Sequence, residues 1–188
     1  MKAVLISIQA KWCEKIANGQ RTIEVRKDAP KLQAPFKCYI YCAKKRMTGS
    51  LCMYSYLHIN EPRVWSKYEK ITTWGRIGDV VVNAGTLYQY ISYGMHEKVI
   101  GEFVCDKIDD ILCDDRDGKN PPLEELLVES CLNYEELCKY GNCKDLYGWH
   151  ITDLKIYDQP KELSEFRNMK GEPIKRPFQS WGYINDCV

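Results

Sequence analysis

The segment GQRTIEVRK, residues 19–27, joins a turn glycine to the beginning of a predicted strand. Its T, I and V are β-branched, and β-branched side chains favour the pleated backbone of a strand. Strand alternation places Glu24 and Arg26 on one face and Arg21 on the other. The first face then holds a carboxylate and a guanidinium about 6–7 Å apart along the strand. The segment therefore predicts either an ion pair on a sheet surface or the floor of a polar pocket.

Two segments of different periodicity precede this one. Residues 2–9, KAVLISIQ, consist almost entirely of strand-forming residues, and we predict an apolar, central strand. In AKWCEKIANG, which follows, Trp12 and Ile16 are spaced as on one face of a helix, and Gly19 suits a helix C-terminal cap. The chain therefore begins with a strand, a short helix and a second strand.

Further along the chain, strands dominate the prediction. Segments rich in β-branched and aromatic residues predict strands at residues 36–42, 98–107 and 147–157, and a short strand or loop at 177–184. Residues 122–140 predict two helical pieces, and Asn133 with Glu136 forms a capping-box pair for the second. Residues 108–120 are acidic and are interpreted as a loop, and 160–166 as a turn or short helix. We predict an α+β, mostly β fold: a small mixed β-barrel with short helices at its rim.

A chain of 188 residues is long enough for one domain with a buried core. Residues 47–95 are rich in Tyr and Trp and are interrupted by glycines, so we interpret them as an insertion that is partly a β-hairpin. The predicted organisation is a single domain over residues 1–188 that carries this aromatic-rich insertion. The insertion is also a candidate contact surface for a protein partner.

Composition excludes several classes of protein. The formal net charge is +1, so binding to nucleic acid would need a local basic patch. No apolar run approaches 18 residues, which argues against a membrane span. The first residues alternate like a strand and are too short for a signal peptide, so we expect a cytoplasmic protein with reduced thiols. The ten cysteines form no CxxC pair, and we predict neither a metal site nor a cofactor.

The octapeptide GQRTIEVR resembles the G-x-[KR]-x-x-E-x-R signature of ASCH domains, a family of the PUA-like β-barrel superfamily. The segments VLISIQAKWCEKIANG, FKCYIYCAKK, VIGEFVCDKI, YGWHITDLKIYDQPKELSEF and RPFQSWGYI are similar to ASCH proteins encoded by phages and prophages. This resemblance covers most of the chain outside residues 47–95 and 108–120. It implies a PUA-like barrel with a cleft beside the motif that takes RNA or a modified nucleotide.

The resemblance also implies a possible hydrolase. One branch of small ASCH proteins is an amidohydrolase acting on an acetylated cytidine, with a lysine, a threonine nucleophile and a glutamate, and other ASCH proteins are ribonucleases. In the motif, Arg21 stands where that branch has its lysine and Glu24 where it has its threonine, so neither of these two groups is kept. A hydrolase of a modified nucleoside or RNA would then use Glu24 as general base and Arg21 to stabilise charge.

Candidate ligand-binding residues are basic, polar or aromatic and lie at predicted strand ends. They are Gln9, Lys11, Trp12, Arg21, Glu24, Arg26, Lys27, Tyr41, Lys44, Lys45 and Ser180. Cationic groups that hold phosphate, interleaved with rings that stack on bases, suit single-stranded nucleic acid.

Each of these assignments has a structural alternative. The basic residues would form a solvated surface with the tyrosines in the core, and Glu24 with Arg26 would be an ion pair that closes the barrel rim. A Ser/His/Asp triad of Ser180, His150 and Asp153 has no nucleophile elbow to support it. A further alternative is a phage-encoded regulatory protein that binds its partner through the 47–95 insertion.

Overall fold

The computed structural model describes residues 2–43, 66–77, 80–92, 97–112, 123–142 and 144–186, with residues 66–92 as backbone only. The first four elements are strand β1 (Lys2–Gln9), helix α1 (Ala10–Ala17), strand β2 (Ile23–Arg26) and strand β3 (Phe36–Ala43). They agree with the predicted strand–helix–strand–strand order. Gly19, at φ 71°, lies just after α1 in the left-handed region, and its N–H donates to Ile16 O at 2.9 Å. The predicted glycine cap is therefore confirmed.

The remaining elements follow in chain order. The strands are β4 (Ser66–Ile77), β5 (Val80–Ser92), β6 (Val99–Cys105), β7 (Ile108–Ile111), β8 (Leu146–His150), β9 (Thr152–Lys161), β10 (Arg167–Asn168) and β11 (Trp181–Asn185). The helices are α2 (Leu123–Ser130), α3 (Tyr134–Gly141) and a 3₁₀ turn at Leu163–Glu165. Asn133 and Glu136 form the predicted capping box at the start of α3, with Asn133 Oδ1 accepting from Glu136 N at 2.8 Å.

Two sheets form the body of the fold. The larger has six strands in the order β10-β11-β1-β3-β6-β9, and the smaller has three in the order β2-β8-β7. Strands β1 and β3 are parallel, so Gln9 pairs with Ala43 at the edge where both strands end. The start of α1 therefore lies at the same edge as the end of β3.

The main core lies between the two sheets. On one face of the large sheet, Ile6 and Ile40 belong to the same apolar cluster as Trp149 of β8. On the opposite face, Leu5 and Tyr39 pack with Phe166 from the segment after β9. This alternation follows from the two-residue period of β1 and β3.

A third apolar cluster attaches α2 and α3 to the outer face of the small sheet. Ile23 and Val25 of β2 pack there with Leu126 of α2, Leu137 of α3 and Leu146 of β8. The two helices therefore cover the face of β2 that points away from the large sheet. Glu24 and Arg26, which alternate with Ile23 and Val25, are directed towards the interior between the sheets.

The mostly β, α+β class is confirmed, but barrel closure is not. The strands among the described residues pair as separate six-, three- and two-stranded sheets. The single strand predicted at residues 147–157 is two strands in the structure. β8 belongs to the small sheet and β9 to the large sheet. Asp153, the second residue of β9, has φ 48° in the left-handed region, and the pairing of β9 with β6 shifts register beside it.

Two further sequence interpretations are decided by strand pairing. The predicted loop at 108–120 is wrong for its first residues, because Ile108–Ile111 is strand β7 and pairs with β8. The hairpin expected in 47–95 is confirmed for the backbone of β4 and β5, which pair antiparallel. The single domain over residues 1–188 and the role of the insertion in binding a partner stay predictions. No helix in the described part of the chain is long and apolar enough to cross a membrane.

Candidate functional site

The centre of the candidate site is a buried cluster of Arg21, Glu24 and Arg26. The Arg21 Nε lies 2.9 Å from Glu24 Oε2, and an Arg26 terminal nitrogen lies 3.0 Å from Glu24 Oε1. The exposed fraction of the side chain is 2% for Arg21, 5% for Glu24 and 9% for Arg26. One carboxylate thus holds two guanidinium groups out of water, an arrangement that needs good geometry and further hydrogen bonds to be stable.

Arg21 reaches this cluster because the chain bends before β2 begins. The prediction that Arg21 lies opposite Glu24 is wrong, since the strand starts only at Ile23. Arg21 N still donates to Lys15 O at the end of α1, at 3.2 Å. The next residue, Thr22, donates its N–H to Glu129 O of α2 at 2.9 Å. These long-range contacts turn the Arg21 side chain towards Glu24.

Backbone carbonyls provide further partners for both arginines. A terminal nitrogen of Arg21 donates to Ser130 O at the end of α2. A terminal nitrogen of Arg26 donates to Ser7 O of β1 at 2.7 Å, and another lies 3.4 Å from Ser180 Oγ. The cluster therefore ties β2 to α2 and to the large sheet, which supports the structural alternative for the ion pair.

The Arg26 guanidinium is not fully hydrogen-bonded by the described residues. Its Nε is buried and has no hydrogen-bond partner in the described part of the chain. The distance to Ser180 Oγ is at the long end for a hydrogen bond. The cluster as a whole has two positive charges and one negative charge, so it carries a surplus positive charge.

Two of the predicted residues extend the cluster to the surface through α1. The Arg21 guanidinium lies 4.4 Å from the centre of the half-buried Trp12 ring, and Lys11 Nζ lies 4.0 Å from it. Lys11 is exposed and also lies 3.9 Å from Glu136. Gln9 is exposed at the residue before α1. Trp12 thus lies between a buried and an exposed cation.

A second extension passes through α3. The exposed Lys27 has its Nζ 5.1 Å from the centre of the Tyr140 ring. Burial raises the pKa of Tyr140, and the Arg26 charge opposes that rise, so the phenol lies within reach of the cluster's field. The sequence predicts only that Tyr140 lies at the end of a helix, and nothing in it indicates that the ring lies near the cluster. We name the surface formed by Gln9, Lys11, Trp12, Lys27, Tyr140 and Ser180 the basic rim.

Other predicted site residues are not brought to the cluster. Tyr41 packs with Leu5 and Val99 on the face of the large sheet opposite Trp149. Lys44 and Lys45 lie outside the described residues. Ala43, just before them, pairs with Gln9.

His150 is paired with a carboxylate other than Asp153 of the unsupported triad. Its Nε2 lies 2.7 Å from Asp109 Oδ2 of β7, and Lys107 Nζ lies 2.7 Å from Asp109 Oδ1. Asp153, the aspartate of the unsupported triad, is exposed near the start of β9. This cluster ties β7 to β8 and does not involve Ser180. The acidic sequence of residues 108–120 is typical of a loop, so it contains no signal for a paired Asp109.

The Asp109 cluster predicts a pH-dependent contribution to stability. Burial alone would raise the pKa of Asp109, but hydrogen bonds from Lys107 and His150 outweigh it and lower the pKa below its usual 3.8. A lowered carboxyl pKa stabilises the folded state above the unfolded-state value and ceases to do so as the pH falls through the folded-state value. We expect Asp109→Asn to destabilise the protein at pH 7, and the difference from wild type to shrink below about pH 4. Urea unfolding at several pH values measures this, with the exposed neighbour Asp110→Asn as control. An Asp109→Asn loss that does not shrink with falling pH contradicts it.

Comparison with known proteins gives no sequence match: no family model and no curated protein matches the chain. Solved structures do match. The crystal structure of ASCH from Zymomonas mobilis superposes with a TM-score of 0.53 at 14% identity, covering 98% of this chain and 88% of that chain. A tyrosine-to-phenylalanine variant of that protein superposes with a TM-score of 0.53 at 14% identity, covering 99% of this chain and 92% of that chain. A serine-to-alanine variant superposes with a TM-score of 0.53 at 13% identity, covering 98% of this chain and 89% of that chain.

These matches extend over nearly the whole chain and are independent of the octapeptide motif. At 13–14% identity these matches show a shared fold, and they carry no information about the chemistry of the site. They agree with the resemblance drawn from residues 19–26, although the similarity to phage proteins stays a prediction. The chain has the fold of an ASCH domain.

Proposed function

We propose that this chain is an RNA- or nucleotide-binding ASCH domain of the PUA-like type, whose ligand lies against the basic rim beside Arg26. The observation that carries the proposal is the surplus charge of the buried cluster. Glu24 neutralises one of two buried arginines, and Arg26 Nε has no partner among the described residues. Because that Nε is itself buried, the surplus charge would act on a phosphate through its field and not through this donor.

The electrostatics of the rim favour an anionic ligand. The surplus charge is held where water is largely excluded, so its field is screened less than that of an exposed cation. Lys11 and Lys27 add exposed positive charge on either side, on α1 and directly after β2. Glu136 of α3 lies 3.9 Å from Lys11 Nζ and offsets part of this exposed charge, so the surplus of the buried arginines and the charge of Lys27 carry the argument.

The aromatic side chains of the rim favour a nucleic acid over a simple anion. Trp12 is half-buried, and Tyr140 is 36% exposed. Each ring lies near a lysine, at 4.0 Å and 5.1 Å respectively. Single-stranded nucleic acid is bound by this combination, in which rings stack on bases while cations hold the backbone.

Binding is favoured over hydrolysis by the state of Glu24. A general base needs a carboxylate oxygen within reach of the proton it removes. One oxygen of Glu24 accepts from Arg21 Nε at 2.9 Å, the other lies 3.0 Å from an Arg26 terminal nitrogen in an ion pair, and the side chain is 5% exposed. Proton uptake would weaken a charge-assisted pair. The geometry suits a residue that positions Arg21 and Arg26.

Direct binding of short single-stranded RNAs tests the proposal. We expect fluorescence anisotropy to show saturable binding at about 50 mM salt that weakens markedly at about 200 mM, because phosphate contacts release counterions. Lys11→Gln and Lys27→Gln should each lower the slope of log K against log salt by about 0.7. Lys170→Gln, which removes an exposed charge outside the rim, should leave the slope unchanged. Binding that is absent, or insensitive to salt, contradicts the proposal.

A further inference from the structure

A second group of aromatic and cationic side chains lies along β11, near one edge of the large sheet. Trp181 and Tyr183 share one face of this strand, and their ring centres are 5.4 Å apart. Both residues are half-buried and pack against the core between the sheets. The exposed Lys2 has its Nζ 3.6 Å from the centre of the Tyr183 ring. This part of the sheet therefore repeats the combination of a half-buried ring and an exposed lysine that forms the basic rim.

The two rings lie at the margin of the core, on the face of β11 that points towards the small sheet. The Trp181 ring centre is 5.7 Å from that of Trp149 in β8. Gly182, between the two rings in sequence, faces the other way, and a Cβ atom there would lie 2.4 Å from the Phe178 ring. Phe178 therefore covers the opposite face of β11 and leaves Trp181 and Tyr183 at the boundary between the core and solvent.

The Tyr183 hydroxyl is held by one hydrogen bond that leaves its own hydrogen unused. Its oxygen accepts from Lys31 N at 2.7 Å, in the segment between β2 and β3. A phenol hydroxyl both accepts and donates, and no acceptor for this hydrogen lies among the described residues. The Tyr183 hydroxyl can therefore donate to a phosphate oxygen without losing its bond to Lys31.

Positive charge prevails around these rings. Lys2 and Lys31 are exposed, and neither forms an ion pair in the part of the chain that the structure describes. Asp28 is the one carboxylate among residues 27–35, which also contain Lys27 and Lys31. Asp186, just after β11, accepts from Tyr39 OH, and Tyr39 belongs to the apolar cluster on the opposite face of the sheet. We name the surface formed by Lys2, Lys31, Trp181 and Tyr183 the β11 platform.

The β11 platform is continuous with the basic rim. Ser180 belongs to the rim and directly precedes Trp181, and its Oγ lies 3.4 Å from a terminal nitrogen of Arg26. Tyr183 is three residues further on, which corresponds to about 10 Å along a strand. Surfaces that bind single-stranded nucleic acid on OB folds cover about 4–16 nucleotides. One strand of RNA is therefore long enough to contact the rim and the platform together.

We propose that the β11 platform binds a second segment of the single-stranded RNA whose first segment lies on the basic rim. This inference rests on the proposed function and specifies its ligand as a strand of several nucleotides. A base stacks on the Tyr183 ring in place of the Lys2 ammonium group, while Lys2 and the Tyr183 hydroxyl hold the adjoining phosphates. A single nucleotide would occupy the rim alone and would not contact Tyr183.

Anisotropy titrations of the full chain with single-stranded RNAs of about four and about ten nucleotides test this inference. Tyr183→Leu keeps apolar bulk at the margin of the core but removes the ring and the hydroxyl. We expect it to weaken binding of the longer RNA about fivefold or more, because a stacked base is lost. Binding of the shorter RNA should change less than about twofold, since the rim alone binds it. Lys2→Gln should lower the salt slope by about 0.7 for the longer RNA only.

Lys155→Gln is the matched control for Lys2→Gln, because it removes an exposed lysine from β9 at the opposite edge of the large sheet. It should leave the affinity for both RNAs unchanged. Thermal unfolding of Tyr183→Leu is compared with wild type, and Lys2→Gln tests the platform without altering the core.

Losses that are confined to the longer RNA support the inference. Equal losses for both RNAs, or no loss for either, overturn it and leave the proposed function standing. A wild-type chain that binds neither RNA overturns the proposed function, and this inference falls with it.

Discussion

Glu24→Gln is expected to lower the free energy of unfolding by about 3–5 kcal/mol at pH 7. The substitution keeps the shape of the side chain but removes the one negative charge between two buried guanidinium groups. Arg21 and Arg26 would then repel each other in surroundings that screen charge poorly. Urea unfolding followed by circular dichroism measures the change, provided that both proteins unfold in a single transition with similar slopes.

The matched control for this prediction is Glu129→Gln. Glu129 is exposed on α2, and its side chain forms no ion pair with the described residues. Its substitution should change stability by less than about 0.5 kcal/mol. A double-mutant cycle with Arg21→Met should show strong coupling to Glu24, since the two side chains are in direct contact. A Glu24→Gln loss below about 1 kcal/mol would show that the cluster is hydrated and contributes little.

The combined variant Lys11→Glu/Lys27→Glu is expected to reduce RNA affinity by about tenfold to a hundredfold at low salt. Both lysines are exposed, so their reversal alters the field of the basic rim with little effect on the buried cluster. The effect should diminish as salt rises, because the contacts are exposed and screened. Anisotropy titration at several salt concentrations measures it.

Lys170→Glu/Lys175→Glu reverses two exposed charges in another region and provides the control for net charge. If the rim is the binding surface, this control should lose much less affinity than the rim variant. Equal losses for the two variants would show that RNA responds only to the overall charge. That result would remove Lys11 and Lys27 from the site.

The local elements of the fold were predictable because their signals lie within a few residues. β1 and α1 follow one another with a change of period from two to about 3.6 residues, and the structure has them at Lys2–Gln9 and Ala10–Ala17. The capping box of Asn133 and Glu136 is likewise confined to four residues. Such signals need no knowledge of tertiary contacts.

The parts that sequence reasoning missed depend on distant residues. Arg21 turns towards Glu24 because its neighbour Thr22 binds the carbonyl of Glu129, which is remote in sequence. Strand β7 is acidic and has little apolar alternation, so only its pairing with β8 identifies it. Tyr39 and Tyr41, two residues apart in β3, lie on one face of the sheet, but only the tertiary packing places that face opposite Trp149.

Mapping the RNA contact is the most direct test of the account. Ultraviolet crosslinking of a short single-stranded RNA to the full chain, followed by mass spectrometry of the peptides, identifies the residues next to the bases. We expect the crosslinks at Trp12 and Tyr140, with peptides from residues 9–27 among the products, since these rings lie beside the rim lysines. Crosslinks confined to other parts of the chain, with Trp12 and Tyr140 unmodified, would contradict a ligand site at the basic rim.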